Sequence, residues 1–372
     1  MLHIRKSFFT LTLGLFALLH NGIAQDGRYS IEIKARSGFI IPHHSYMAYF
    51  LTENVNAIQF NLGITTDGSS FWHKEYNYPI VGVGIHHSGL GNDTLYGKLT
   101  GLYFFINRFF LNNAKRFNIG NTLSVGLSYA SKWHNNSSNR NNMILSTPLN
   151  VFFQYEIGFN YRLPPNHNIS LGIGLAHASN GSVKEPNLGF NIFTTAVGYR
   201  YSFGRINGTG TESTADNTPR SSWNFGLFAS TKSVDAFTGK QYGIIGLSAE
   251  KLYRIAPLSM AGMELSFYSD NSIPDLLTDK YGNTTIPNRN NNLALAINAT
   301  YLMGFNRIAI AFQPGIYLLN RFYGTGAFTN KVGLRIGCCD RLSLVVVIKA
   351  HWLAQADFVE LGFKYSFSKH EN

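Results

Sequence analysis

His177 and Ser179 stand two apart in the stretch Leu171-Gly-Ile-Gly-Leu-Ala-His-Ala-Ser-Asn-Gly181, and Asn187 and Asn191 follow closely. Serine alone is a weak nucleophile. A neighbouring imidazole takes its proton during attack, and a third group orients the imidazole. A backbone amide and an asparagine amide suit a developing oxyanion. These residue types in this pattern point to acyl transfer by a serine hydrolase. The spacing also fits a plainer reading, in which His177 and Ser179 merely mark where a strand leaves a membrane, since a His-x-Ser pair is common by chance.

That chemistry needs the groups on one face. Successive side chains of a strand alternate faces. Ile173, Leu175, His177 and Ser179 then share one side, and Gly172, Gly174, Ala176 and Ala178 share the other. The branched apolar residues belong against lipid, and the small ones in a crowded barrel interior. His177 and Ser179 are therefore expected to look outward. Polar groups there need partners. Parity over an expected strand at 187–203 turns Asn187 and Asn191 the same way.

The composition supports a barrel. The chain has 372 residues, with 29 Phe, 20 Tyr and 36 Gly, and only 14% are charged. A soluble domain carries about 25%. The start of the chain is basic, with His3, Arg5 and Lys6 before an apolar run from Phe8 to Leu19 and the small residues Gly22 to Ala24. This is the pattern of a secretory signal peptide over 1–24, too short to span a bilayer. Cleavage removes Arg5 and Lys6 and lowers the net charge from +11 to +9. A basic surface on an exported protein suits phosphate-bearing lipid and does not argue for nucleic acid. No long apolar run follows. Cys338 and Cys339 are adjacent, which suits neither a disulfide framework nor a metal site.

Alternation predicts strands at 28–38, 56–66, 79–88, 95–106, 119–132, 149–163, 167–179 and 187–203. A second series is expected at 222–232, 240–253, 257–269, 291–304, 306–317, 326–338, 341–353 and 356–367. The fold class is all-β, an antiparallel transmembrane outer-membrane barrel of about sixteen candidate strands. Long loops alternate with short turns, as in outer-membrane barrels, with 65–78 as the exception. A polar linker over 205–221 separates residues 25–204 from 222–372. The halves end alike, in Gly198-Tyr-Arg-Tyr-Ser-Phe203 and Gly362-Phe-Lys-Tyr-Ser-Phe367. One large barrel or two small ones are both compatible with this pattern.

The segment from His177 to Gly189, with Pro186-Asn187 and the run from Gly198 to Phe203, resembles the active-site segment of the PagL-type lipid A 3-O-deacylases, also described as acyloxyacyl hydrolases. The resemblance covers roughly 28–204, and the second half resembles the extension of longer members. It implies an eight-stranded outer-membrane barrel whose catalytic groups face the membrane. His177 would be the general base and Ser179 the nucleophile. Asn187 and the backbone amide of Gly181 would line the oxyanion hole, and Asn180 matches the motif beside them. The family's catalytic glutamate falls on Asn191, which can orient a histidine but supplies no charge. Glu185 in the adjoining loop is the alternative third member.

The expected function is a lipid A deacylase of the outer membrane. It would be a serine ester hydrolase removing a 3-hydroxyacyl chain, with lipid A or lipopolysaccharide as partner and no cofactor. The alternative is a non-catalytic porin or a structural or adhesive barrel, for which inward Gln154, Glu156, Asn160 and Arg162 would suit a hydrated lumen or polar plug. Lys184, Lys132 and Arg140 are candidate contacts for lipid A phosphates. His43-His44 and His86-His87 are read as non-metal pairs, since strand neighbours point to opposite faces. His351 is expected on an inner face with Lys349, Arg341 and Glu360, in an ionic network.

Overall fold

The computed structural model describes residues 29–111, 116–203, 218–236, 238–281, 292–320, 326–351 and 355–369. The expected signal peptide and most of the expected linker lie outside them. The first eight strands are β1 (Tyr29–Ile40), β2 (Val55–Thr65), β3 (Ile80–Gly89), β4 (Lys98–Phe109), β5 (Phe117–Ala130), β6 (Leu149–Leu163), β7 (His167–Ser179) and β8 (Phe190–Phe203). The second eight are β9 (Ser221–Ser233), β10 (Gln241–Ala256), β11 (Ser259–Asp270), β12 (Leu293–Phe305), β13 (Ile308–Asn320), β14 (Phe328–Gly337), β15 (Leu342–His351) and β16 (Gln355–Lys369). Among the described residues three short helices sit in loops: α1 (Ser45–Phe50), α2 (Phe71–Glu75) and α3 (Ile273–Tyr281). The stretch 65–78 contains α2, so it is a structured loop.

The strands form two closed barrels, not one. β1 pairs with β8, and β9 pairs with β16. Closure leaves no open sheet edge, which a hydrocarbon environment requires because it offers no water to bond free amides. The described residues divide into two compact units, those within 29–131, 152–178 and 190–203, and those within 132–151, 179–189 and 218–369.

Alternation explains the two faces. On β7 Leu171, Ile173 and Leu175 are exposed, while Gly174, Ala176 and Ala178 are buried. On β16 Leu361, Phe363, Tyr365 and Phe367 are exposed, while Glu360 and Lys364 are buried. An apolar exterior over a polar interior suits a barrel standing in lipid. No helix among the described residues is long and apolar enough to cross a membrane.

The interiors are crossed by ion pairs. In the first barrel Lys34 donates to Glu156 at 2.7 Å, and Arg36 donates to the other oxygen of the same carboxylate. Gln59 donates to Gln154 at 2.6 Å, and Tyr103 to Asn61 at 2.6 Å. In the second, Arg335 grips Glu250 with two bonds of 2.9 and 3.0 Å. Lys331 donates to Glu264 at 2.8 Å, and Lys364 reaches the other Glu264 oxygen. An eight-stranded barrel is just wide enough for side chains to fill. Gln154, Glu156 and Asn160 are therefore a packed polar plug, whereas Arg162 is exposed at the end of β6. His351 joins the second network as expected from its parity, but its partner is Asp357. Arg341 departs from that expectation: it lies in the exposed β14–β15 turn, beyond the inward-facing run of β15.

Glu156→Ala would take from buried Lys34 and Arg36 the carboxylate they share, leaving Lys34 with Glu32 at 3.5 Å. A loss of about 3–5 kcal/mol of stability is expected, read as a lower midpoint for loss of the heat-modifiable folded band in detergent.

Candidate active site

The antiparallel register sets His177 of β7 directly opposite Asn191 of β8. Their side chains meet on the outer face, where His177 Nδ1 lies 2.7 Å from Asn191 Oδ1. The Oδ1 oxygen accepts, so Nδ1 carries the proton. In the neutral ring Nε2 then keeps the lone pair that a general base needs. Ser179 follows two residues on, at the last position of β7 and on the same side of the strand. It is 3% exposed, against the open positions of Leu171, Ile173 and Leu175 below it. The outward row thus runs from lipid-facing apolar residues to half-buried His177 and then to buried Ser179.

Asn187 departs from the expected strand. β8 begins only at Phe190, because Leu188 and Gly189 give their amides to Met143 and Ile144 of the 131–148 loop, at 3.4 and 3.0 Å. Gly189 also has φ +73°, outside the extended region. Asn187 is therefore a loop residue. The backbone amide of Asn180 donates to Asn187 Oδ1 at 3.0 Å. That bond fixes which end of the amide is oxygen, and the Nδ2 end has no hydrogen-bond partner among the described residues although it is buried. Buried donors left in this state are rare. Gly181 has φ +67°, which glycine adopts without strain.

Asn180 has a different role from its neighbour. Its Nδ2 donates to Ser146 Oγ at 2.9 Å and to Lys184 O at 2.8 Å. Its side chain ties two loops together, and its backbone amide orients Asn187. Ser146, which also donates to Lys184 O at 2.6 Å, was not legible from the sequence. It lies thirty-four residues away in a loop with no motif. Glu185 accepts from the backbone amide of Asn187 at 2.8 Å. The Nδ1 partner of His177 is Asn191, so Glu185 supports the loop and is not the group that orients the ring. His86 is buried inside the first barrel, and its neighbour His87 points out to Thr100 at 2.9 Å, on opposite faces as strand geometry requires.

Two family models match. The lipid A 3-O-deacylase (PagL) model matches residues 58–200, and the acyloxyacyl hydrolase C-terminal domain model matches residues 221–369. The chain belongs to the PagL lipid A 3-O-deacylase family, in a form that carries the acyloxyacyl hydrolase C-terminal domain. The first match falls on the first barrel and the second on β9 to β16, and the protein is placed in the bacterial outer membrane. No curated relative matches the sequence. Among solved structures, the outer membrane enzyme PagL is similar at 15% identity and TM-score 0.31, covering 45% of this chain and 97% of that one. Neisserial surface protein A is similar at 10% identity and TM-score 0.34, covering 48% and 98%.

Burial pushes the Glu185 carboxyl up from its ordinary range, against the opposing pull of the Asn187 amide and Ser182. The folded loop favours the protonated form. Its contribution is complete below the ordinary carboxylate range and is lost as pH rises through the raised value. Hydrogen exchange of the amides at 180–189 should therefore speed up over that window beyond the intrinsic pH effect. Glu185→Gln should abolish the excess.

Proposed function

We propose that this protein is a lipid A deacylase that works as a serine ester hydrolase on the 3-hydroxyacyl chain. The observation that carries the reading is the His177–Asn191 bond on the lipid-facing side of β7 and β8, beside Ser179. A site on the outside of a barrel suits a substrate that is itself membrane lipid. Family membership supports the same chemistry.

Ser179 Oγ attacks the ester carbonyl while His177 Nε2 takes its proton. The oxyanion is held by the Asn187 Nδ2 amide and the backbone amide of Gly181. The intermediate collapses, the C–O bond to the sugar breaks, and His177 returns its proton to the departing alkoxide. Water, activated by the same imidazole, then cleaves the acyl-serine ester and releases the fatty acid. No step requires a metal or cofactor. Lys184, Lys132 and Arg140 are exposed in loops, where lipid A phosphates would meet them. The ion pairs across both lumens leave an open aqueous pore without support, so we favour the enzyme over the porin alternative. The same reading assigns residues 25–204 to catalysis and 222–372 to a second barrel, joined by a linker over 205–221.

Mass spectrometry of lipid A incubated with detergent-folded protein tests this reading. Wild type should remove one hydroxyacyl mass. Ser179→Ala and His177→Ala should each lose roughly 10³-fold or more in rate, and Asn187→Ala about 10²-fold as for a lost oxyanion donor. Unchanged lipid A from folded wild type would refute the assignment.

Asn191 orients the imidazole without neutralising it. A carboxylate at the third position stabilises the imidazolium that forms during attack. Asn191→Glu should raise kcat by roughly tenfold or more, with little change in KM, in the same lipid A assay followed over time.

A further inference from the structure

Residues 179–189 join β7 to β8, yet they belong to the same compact unit as the second barrel. Three strands of that barrel hold them by hydrogen bonds. The backbone amide of Ser233, at the end of β9, donates to Ser182 O at 3.1 Å. Ser182 Oγ donates to Ala356 O on β16 at 2.8 Å. Gln241 Nε2, at the start of β10, donates to Val183 O at 2.9 Å. The approach to β16 is close: a Cβ added to Gly181 would fall 2.5 Å from Val359 Cγ2.

The segment held in this way is strained. Gly181 and Ser182 are consecutive left-handed residues, with φ +67° and +62°. Glycine takes that region freely, but a serine stays there only where its surroundings over-determine it. Ser182 is buried, and the second barrel fixes it through both its carbonyl and its hydroxyl. The hold is passed on along the loop. Ser182 also bonds the Glu185 carboxyl, and that carboxyl accepts the Asn187 amide at 2.8 Å. A chain of contacts thus runs from the β16 carbonyl through Ser182 and Glu185 to Asn187. Both groups assigned to the oxyanion hole depend on it, since Gly181 directly precedes Ser182 and Asn187 ends the chain.

We propose, on the deacylase reading of Ser179 and His177, that the second barrel is the platform that positions the oxyanion loop, with Ser182 and Gln241 as positioning residues. Oxyanion donors are effective when they are already aimed at the place where charge develops. Released from the rim, the left-handed turn relaxes and swings the Gly181 amide with it. The acyloxyacyl hydrolase C-terminal domain then serves the reaction by holding donors in place.

Hydrogen exchange and lipid A kinetics on the full-length, detergent-folded protein, at one fixed pH, test this. The variants are Ser182→Ala and Gln241→Ala, each checked for the heat-modifiable folded band. Both should speed exchange of the amides at 180–185, Ser182→Ala by about tenfold or more. Ser182→Ala should lower kcat roughly tenfold to a hundredfold with little change in KM, as a small misplacement of a positioned group does. Gln241→Ala breaks one exposed bond and should lower it less. In an Asn187→Ala background the loss from Ser182→Ala should shrink, because a donor that it misaims is already gone. A merely structural role would give additive losses. Unchanged exchange in the folded variants overturns the proposal. So does full kcat in folded Ser182→Ala, or a loss that stays additive with Asn187→Ala. Lipid A left intact by folded wild type refutes the deacylase reading instead, and the exchange rates then decide whether the rim holds the loop.

Discussion

In a lipid environment every backbone amide must find its partner within the protein, and here the pairings of β1 with β8 and of β9 with β16 meet that demand. Each eight-strand set closes on itself, so no amide row faces hydrocarbon. Closure at eight strands also sets the bore. The bore is narrow enough that inward side chains touch across it, and strand alternation then assigns every second residue to lipid or lumen. The polar plugs, the aromatic exterior and the outward site all follow from that assignment.

Polar side chains inside so narrow a lumen must be satisfied by one another. Glu156 takes Lys34 and Arg36, and Glu250 takes Arg335. Glu264 takes Lys331 and Lys364. Such pairs add little net stability over apolar packing, but removing one partner strands a charge. The networks therefore tie strands that are far apart in sequence, such as β1 with β6 and β11 with β16. They do so where small residues like Gly172 and Gly198 leave room for long side chains.

The outward site obeys the opposite constraint. A charge on the lipid face of a barrel costs free energy that depends on its depth. His177 and Asn191 pair there without a carboxylate between them, where β7 leaves its lipid-facing stretch. Asn191 holds the imidazole by one hydrogen bond and brings no charge to the lipid face. The loops that follow have their own hydrogen bonds. Asn180 locks the loop from both its backbone and its side chain, and that lock aims the Asn187 amide.

Strand periodicity is a local property, so it was legible residue by residue. All sixteen strands stand near their expected places, with β6 and β7 at the expected bounds. The outward parity of His177 with Asn191 needed only alternation and an antiparallel register. What the sequence could not decide depends on contacts between distant segments. Whether sixteen strands close as one barrel or two turns on which strand pairs with β1, a choice between β8 and β16 that each edge could satisfy chemically. Asn187 was misplaced onto β8 because the 131–148 loop takes the amides of Leu188 and Gly189. Ser146 carried no motif and Asp357 no expected partner, and each acquired its contacts only from the side chains that folding brought beside it. Alternation along a strand is written in the order of residues, whereas closure, loop docking and ion pairing are decided by the free energy of surfaces that meet only in the folded chain.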